Sequence, residues 1–162
     1  MIDARTSAPD FELLDHDGRP QRLSDLKGKR IVLYFYPKAD TPGCTAQACG
    51  VRDFMAEFEA AGAVVLGVSH DPPAALARFR EKYGLGFTLL SDPGRQVAER
   101  YGVRVKASRL KLPISLTERT TFVIGPDGVV EHVFRRVDPR QHGQLILEAL
   151  APASGTAEEV VG

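Results

Sequence analysis

The chain has 162 residues, 43% hydrophobic and 26% charged, and its 21 basic and 21 acidic side chains cancel to a formal net charge of zero. That length fits one domain with a sizeable core, and the charge balance gives no overall pull toward nucleic acid or a membrane surface. No stretch approaches the roughly 18 apolar residues of a membrane span, and Met1-Ile2-Asp3-Ala4-Arg5 lacks the basic-then-apolar signature of a secretory leader, so a cytoplasmic address is expected.

In chain order, Phe11-Glu12-Leu13-Leu14, the turn Asp15-His16-Asp17-Gly18 and the returning Gln21-Arg22-Leu23 read as a small hairpin. Residues 31–36, Ile-Val-Leu-Tyr-Phe-Tyr, are apolar throughout, as a central strand covered on both faces should be. A helix is expected over 44–61, with Val51, Phe54, Met55 and Phe58 as its buried stripe and Gly62 as its stop. The strand 63–69 then completes a βαβ unit, hence a parallel pair with a right-handed crossover. Pro73 opens a helix to about Tyr83, residues 87–90 form a short strand, and Asp92-Pro93-Gly94 precedes a short helix to about Tyr101. Strands 120–124 and 129–134 flank Gly125-Pro126-Asp127-Gly128, a strong hairpin signal. A last helix begins near Pro139 and carries Leu145, Ile146, Leu147 and Leu150. The order implies an α/β, thioredoxin-like fold: a mixed central sheet flanked by helices, with an N-terminal β-hairpin extension. Residues 1–151 are expected to form the domain and 152–162, rich in Ala, Ser, Gly and Glu, a flexible tail.

The chemistry concentrates at Thr41-Pro42-Gly43-Cys44 and at Cys49, the second of only two cysteines. A buried strand, a Pro/Gly turn and an amphipathic run place Cys44 in the first turn of a helix. There free N–H groups and the positive end of the helix dipole favour a thiolate. In a reducing compartment such a pair is more often catalytic or metal-binding than a structural bridge. Pro42-Gly43 is expected to keep bulk away from the sulfur, Thr41 to aim its hydroxyl at it or at a bound substrate oxygen, and Pro37 to shape the pocket where the strand ends. Five helical residues separate two Cα atoms by roughly 8–9 Å, beyond the ~7 Å reach of a disulfide. Cys44 and Cys49 can therefore join only if the first turns unwind, which suits an oxidised sulfenic acid and its resolving partner better than a static staple.

Pro37-x-x-x-Thr41-x-x-Cys44 resembles the Pro-x-x-x-Thr-x-x-Cys signature of peroxiredoxins, and Thr-Pro-Gly-Cys-Thr with a cysteine five residues on is similar to their bacterioferritin comigratory protein, or peroxiredoxin Q, subfamily. Ala8-Pro9-Asp10-Phe11, Leu90-Ser91-Asp92-Pro93 and Arg119-Thr120-Thr121-Phe122-Val123-Ile124 extend the resemblance over roughly residues 7–150. It implies Cys44 as the peroxidatic cysteine, with Thr41 and the Cys44 N–H holding the peroxide oxygens. On the same resemblance Arg119, carried in on the hairpin strand, would favour the thiolate and polarise the peroxide, Pro37 would screen the pocket, and Cys49 would resolve the sulfenic acid into an intramolecular disulfide that a thioredoxin-type reductant reopens. The resemblance further implies a monomer acting on hydrogen peroxide and organic hydroperoxides, with no metal or organic cofactor, no nucleic acid and no membrane partner.

Three features depart from that pattern. Gln47 and Val51 stand where relatives often have Glu and an aromatic residue, and Gln47 is expected to alter the hydrogen bonding near Cys44. Residues 105–116 do not read like the usual segment before the arginine-bearing strand, and are expected to alter reductase docking or substrate range. Plainer readings stand beside these: Cys44 as an inert buried thiol, Cys49 as a core residue, Thr41 as a helix cap only, Pro37 and Pro42 as turn formers, Arg119 as a strand-edge charge. His16, His70, His132 and His142 are scattered without metal-ligand spacing and read as exposed or structural, and Arg135-Arg136 and Lys27–Arg30 as solvated turns. A disulfide oxidoreductase lacks support because no Cys-x-x-Cys is present; a redox-sensing binding protein and a zinc module are the remaining alternatives.

Overall fold

The computed structural model describes residues 2–105 and 116–151. The strands are β1 Glu12–Asp15, β2 Pro20–Arg22, β3 Arg30–Phe35, β4 Ala63–Ser69, β5 Thr88–Ser91, β6 Arg104–Val105, β7 Leu116–Thr117, β8 Thr120–Ile124 and β9 Val130–Phe134. The helices are α1 Pro42–Asp53, α2 Met55–Ala60, α3 Pro73–Tyr83, α4 Gln96–Arg100 and α5 His142–Ala149. Seven strands form one sheet in the order β2-β1-β5-β4-β3-β8-β9, and β6 and β7 pair separately. β3, β4 and β5 run parallel, while β8 and β9 on one side and β1 and β2 on the other add antiparallel edges. This is the mixed, thioredoxin-like sheet expected from the element order, with the N-terminal hairpin joined to it through β5.

The alternation along β3 builds both layers at once. Val32 and Tyr34, with Tyr36 just beyond, face a cluster completed by Ala48 and Val51 of α1, Phe58 of α2, Leu76 and Phe79 of α3 and Ile146 of α5. Ile31, Leu33 and Phe35 face the other cluster, with Phe11, Leu23, Val97, Ala98 and Tyr101. Fully burying a large apolar side chain is worth about 1.5–3 kcal/mol, so a strand loaded on both faces anchors the sheet. Tyr34 fits only because its neighbour on β4 is Gly67, where a Cβ would lie 3.0 Å from the phenol ring.

Local chemistry sets the boundaries. α3 starts on Pro73 and ends on Gly84, left-handed at φ 61°, with the Leu85 N–H donating to the Arg80 carbonyl at 3.0 Å. The β8–β9 turn closes through Gly128 at φ +84°, whose N–H donates to the Gly125 carbonyl at 2.9 Å. One expectation is corrected: the helix over 44–61 is two helices, broken at Phe54 (φ −107°, ψ 8°). Val51 and Phe58 stay on the core side across the break, so the hydrophobic spacing survives although the backbone does not continue. The last helix begins at His142, later than the Pro139 start expected. The flexible tail expected at 152–162, and most of the unusual 105–116 stretch, lie outside the described residues; only its flanks, β6 and β7, are seen to pair. Among the described residues, no helix is long and apolar enough to cross a membrane.

Candidate active site

The site forms where β3 ends and α1 begins. Tyr36 keeps one more bond to the sheet, its N–H donating to the Val68 carbonyl at 3.0 Å, and Pro37, with no N–H to offer, stops the ladder. The loop that follows is pinned at three points. The Ala39 N–H donates to Asp71 Oδ2 at 2.7 Å. Asp40, in the left-handed region at φ 61°, accepts from Tyr83 Oη at 2.8 Å and Lys82 Nζ at 3.0 Å, and those bonds hold its carboxyl below the usual carboxylate range. The Thr41 hydroxyl donates to the Lys38 carbonyl at 2.8 Å.

Thr41 is the N-cap of α1 and extended at φ −93°, ψ 158°, with Pro42 in the first turn. Its side chain makes no cap bond, so the cap-only reading fails: the hydroxyl is turned back to Lys38 and keeps its lone pairs as acceptors. The Thr45 N–H donates to the Thr41 carbonyl at 2.8 Å, which leaves the Gly43 and Cys44 N–H groups ahead of the first intrahelical bond.

Arg119 reaches this helix start from the loop before β8, one residue short of the strand rather than on it as expected. Its Nη1 donates to Cys44 Sγ at 3.1 Å and to Gln47 Oε1 at 2.8 Å. Gly43 makes room, for a Cβ there would sit 3.1 Å from Arg119 Nη2 and 3.8 Å from Pro139 Cγ. The arginine's own main chain is fixed by the Val137 N–H, which donates to its carbonyl at 3.0 Å. Next to it, Glu118 accepts two bonds from Arg135 at 3.0 and 3.1 Å and one from the Thr120 hydroxyl at 2.8 Å. Burial works to raise the Glu118 pKa, but those bonds outweigh it and hold it below its ordinary value. Arg136 adds an ion pair to Glu118 at 3.5 Å; both arginines are exposed, in keeping with the solvated turn expected of Arg135-Arg136, while pairing with Glu118 beside the arginine loop.

Gln47 continues the network inward: its Nε2 lies 3.1 Å from His142 Nδ1, and His142 Nε2 lies 2.6 Å from Thr121 Oγ1. Gln47, Thr121 and His142 are each 0% exposed. Burial, with the Arg119 charge adding to it, pushes the His142 pKa down to about 3, so the ring is neutral at ordinary pH. Its ring meets that of Tyr34 edge-on at 4.9 Å. Sequence reading took His142 as exposed or structural; it is fully buried and bridges Gln47 to Thr121, and an isolated histidine has no spacing that distinguishes a buried bridge from a surface side chain. Gln47 joins the cysteine-bound arginine to that bridge.

The structure thus brings Cys44, Thr41 and Arg119 to one helix start, with Pro37 at the end of the strand that feeds it. The sulfur is more enclosed than its Pro/Gly turn suggested, Cys44 being 2% exposed beneath the arginine. Cys49 is half-buried on the same unbroken helix, and both thiols are free. Among the described residues no group of three His, Cys, Asp or Glu side chains converges as metal ligands.

The AhpC/TSA family profile matches residues 4–133. Peroxiredoxin Bcp of Escherichia coli strain K12 is 48% identical over 143 residues, covering 88% of this chain and 92% of that protein. The chloroplastic peroxiredoxin Q of Oryza sativa subsp. japonica is 44% identical over 138 residues, 85% of this chain and 61% of that one. Among solved structures, peroxidoxin BcpB from Mycobacterium tuberculosis superposes with a TM-score of 0.84 at 37% identity, covering 93% of this chain and 97% of its own. The bacterioferritin comigratory protein of Xanthomonas campestris gives a TM-score of 0.84 at 32% identity, covering 91% and 97%. With likeness of this extent in both sequence and fold, the chain belongs to the AhpC/TSA family, among its Bcp and peroxiredoxin Q peroxidases.

Proposed function

We propose that this peroxidase reduces hydrogen peroxide and organic hydroperoxides through Cys44. The observation that carries the reading is the Arg119 guanidinium donating to the Cys44 sulfur at the free N-terminus of α1. The thiolate attacks the distal peroxide oxygen, a sulfur–oxygen bond forms as the O–O bond breaks, and the leaving alkoxide or hydroxide takes a proton and departs as alcohol or water. Arg119 balances charge at the sulfur and on the departing oxygen, the Cys44 N–H donates to the peroxide, and the Thr41 oxygen accepts the peroxide O–H. Pro37 limits water at the strand end. The Cys49 thiol then condenses with the Cys44 sulfenic acid, releasing water and forming a disulfide once the first turns of α1 unwind. A thioredoxin-type dithiol returns the pair to thiols by exchange and is itself oxidised. Organic hydroperoxides are included because the X. campestris relative is described as having alkyl peroxide reduction activity. The working unit is taken as a monomer of residues 1–151 in a reducing cytoplasm, with no metal or organic cofactor in the cycle.

Peroxide consumption with thioredoxin, its reductase and NADPH tests the whole cycle. Wild-type protein turns over, Cys44→Ser does not, and Cys49→Ser stops after one peroxide per chain. Intact mass after one equivalent of peroxide shows the loss of two hydrogens that links the sulfurs. Undiminished thioredoxin-dependent cycling of Cys49→Ser would remove Cys49 from its role, and no turnover with Cys44 intact would reject the reading.

A further inference from the structure

The network behind Cys44 has a direction of hydrogen bonding that can be followed from one end. A guanidinium only donates, so the Gln47 atom 2.8 Å from Arg119 Nη1 must be the amide oxygen. The amide nitrogen therefore faces His142 Nδ1 at 3.1 Å, and because an NH₂ group also only donates, Nδ1 must be bare. The neutral ring then carries its proton on Nε2, which donates to Thr121 Oγ1 at 2.6 Å.

We propose that His142 is a positioning residue: by offering an unprotonated Nδ1 it selects the orientation of the Gln47 amide that turns oxygen toward Arg119 and so holds the guanidinium against the Cys44 sulfur. The opposite orientation would set an NH₂ group against a guanidinium in a site where Gln47 and His142 are sealed from water, leaving donors unpaired. A ring protonated on Nδ1 would force that orientation or break the bond. The groups packed around the imidazole are Gln47 of α1, Thr121 of β8, the Tyr34 ring of β3 and, one step away, Arg119; of these four the arginine alone is a cation, and it opposes protonation together with burial. Placement is secured by the next residue. A Cβ at Gly143 would lie 2.6 Å from the Gly50 carbonyl oxygen, so α5 meets α1 backbone to backbone just where His142 must reach Gln47.

The proposal rests on reading Cys44 as the attacking sulfur, and its test separates the two. A long-range proton–nitrogen spectrum of the reduced full chain at neutral pH is expected to show His142 protonated at Nε2 and bare at Nδ1. A ring protonated at Nδ1 overturns the proposal, whether or not the protein consumes peroxide. Single-turnover oxidation of Cys44 by hydrogen peroxide then measures the consequence. His142→Leu is expected to slow it about tenfold, the scale of one hydrogen bond. His142→Asn, which keeps an acceptor near the Nδ1 position, should recover most of that loss. In a Gln47→Glu background both carboxylate oxygens accept, no orientation needs selecting, and His142→Leu should cost about threefold or less. An equal loss in both backgrounds marks a merely structural histidine and overturns the proposal. Failure of wild-type Cys44 to oxidise refutes the attacking-sulfur reading instead, and leaves the amide orientation to be decided by the tautomer.

Discussion

An alanine at position 43 would bring its Cβ to 3.1 Å from Arg119 Nη2, closer than side chains ordinarily tolerate. The group that must yield is the end of a flexible side chain, so the fold has an inexpensive response: the guanidinium moves by a few tenths of an ångström. That same guanidinium carries Nη1, the donor to Cys44 and Gln47, so the movement falls on the chemistry. Gly43→Ala is therefore expected to lower the rate of Cys44 oxidation about tenfold while leaving the melting temperature nearly unchanged, because misplacement at a reacting centre acts on rate out of proportion to its energy. A loss of stability equal to the loss of rate would count against this account. Gly43, Thr41 and Cys44 are contiguous, which is why the sequence displays them together. Arg119 is 75 residues from Cys44, and His142 is 95 from Gln47. Resemblance to a family recovered the arginine, whereas nothing in a single histidine after Gln141 signals that it will be the innermost link of a buried network.

At the scale of elements, α1 has two demands that conflict. It must be intact for its N-terminus to present Cys44, and it must open for Cys49 to reach that sulfur, since five helical residues hold the Cα atoms roughly 8–9 Å apart. Peroxide is thus expected to reduce the far-UV helical signal of the wild-type protein as the disulfide forms, and to leave Cys49→Ser unchanged after its single oxidation; an identical signal before and after disulfide formation would show that α1 does not unwind. The contact that resists opening is the approach of α5. Gly143→Ala gains helix propensity of up to about 1 kcal/mol, but its Cβ would meet the Gly50 carbonyl oxygen at 2.6 Å, and backbone cannot step aside as a side chain can. Overpacking of this kind costs about 1–3 kcal/mol, so net destabilisation is expected by urea titration, with slower Cys44 oxidation as His142 is carried away from Gln47. Which segments are helices and which are strands was readable because burial imposes periods of 3.6 and 2 residues. The break at Phe54 was not, because hydrophobic spacing reports which face a side chain occupies and is silent about one residue's ψ.

Over the whole molecule, the sheet buries a titratable group that an unfolded chain would expose. The His142 pKa falls from an ordinary 6.5 to about 3 in the fold, with burial the larger cause and Arg119 the smaller. Between those two values the unfolded chain binds a proton that the folded chain refuses, so stability rises with pH across the window and is lost as pH drops below about 6.5. One such proton contributes a slope of up to about 1.4 kcal/mol per pH unit. His70, also shifted downward by burial first, acts in the same direction. Asp10, Asp15, Asp40 and Glu118 have lowered values, so the stability they contribute is lost only at more acid pH, as each folded-state carboxylate takes up its proton. The interval from about pH 6.5 to about pH 5 is therefore governed by the histidines, and comparison with His142→Asn isolates one of them. Urea midpoints of the wild type should fall through that interval more steeply than those of the variant, and the two should run parallel above about pH 7. Parallel curves throughout would mean that the folded protein accepts the proton on His142 as readily as the unfolded chain does, which its sealed position between Gln47 and Thr121 forbids.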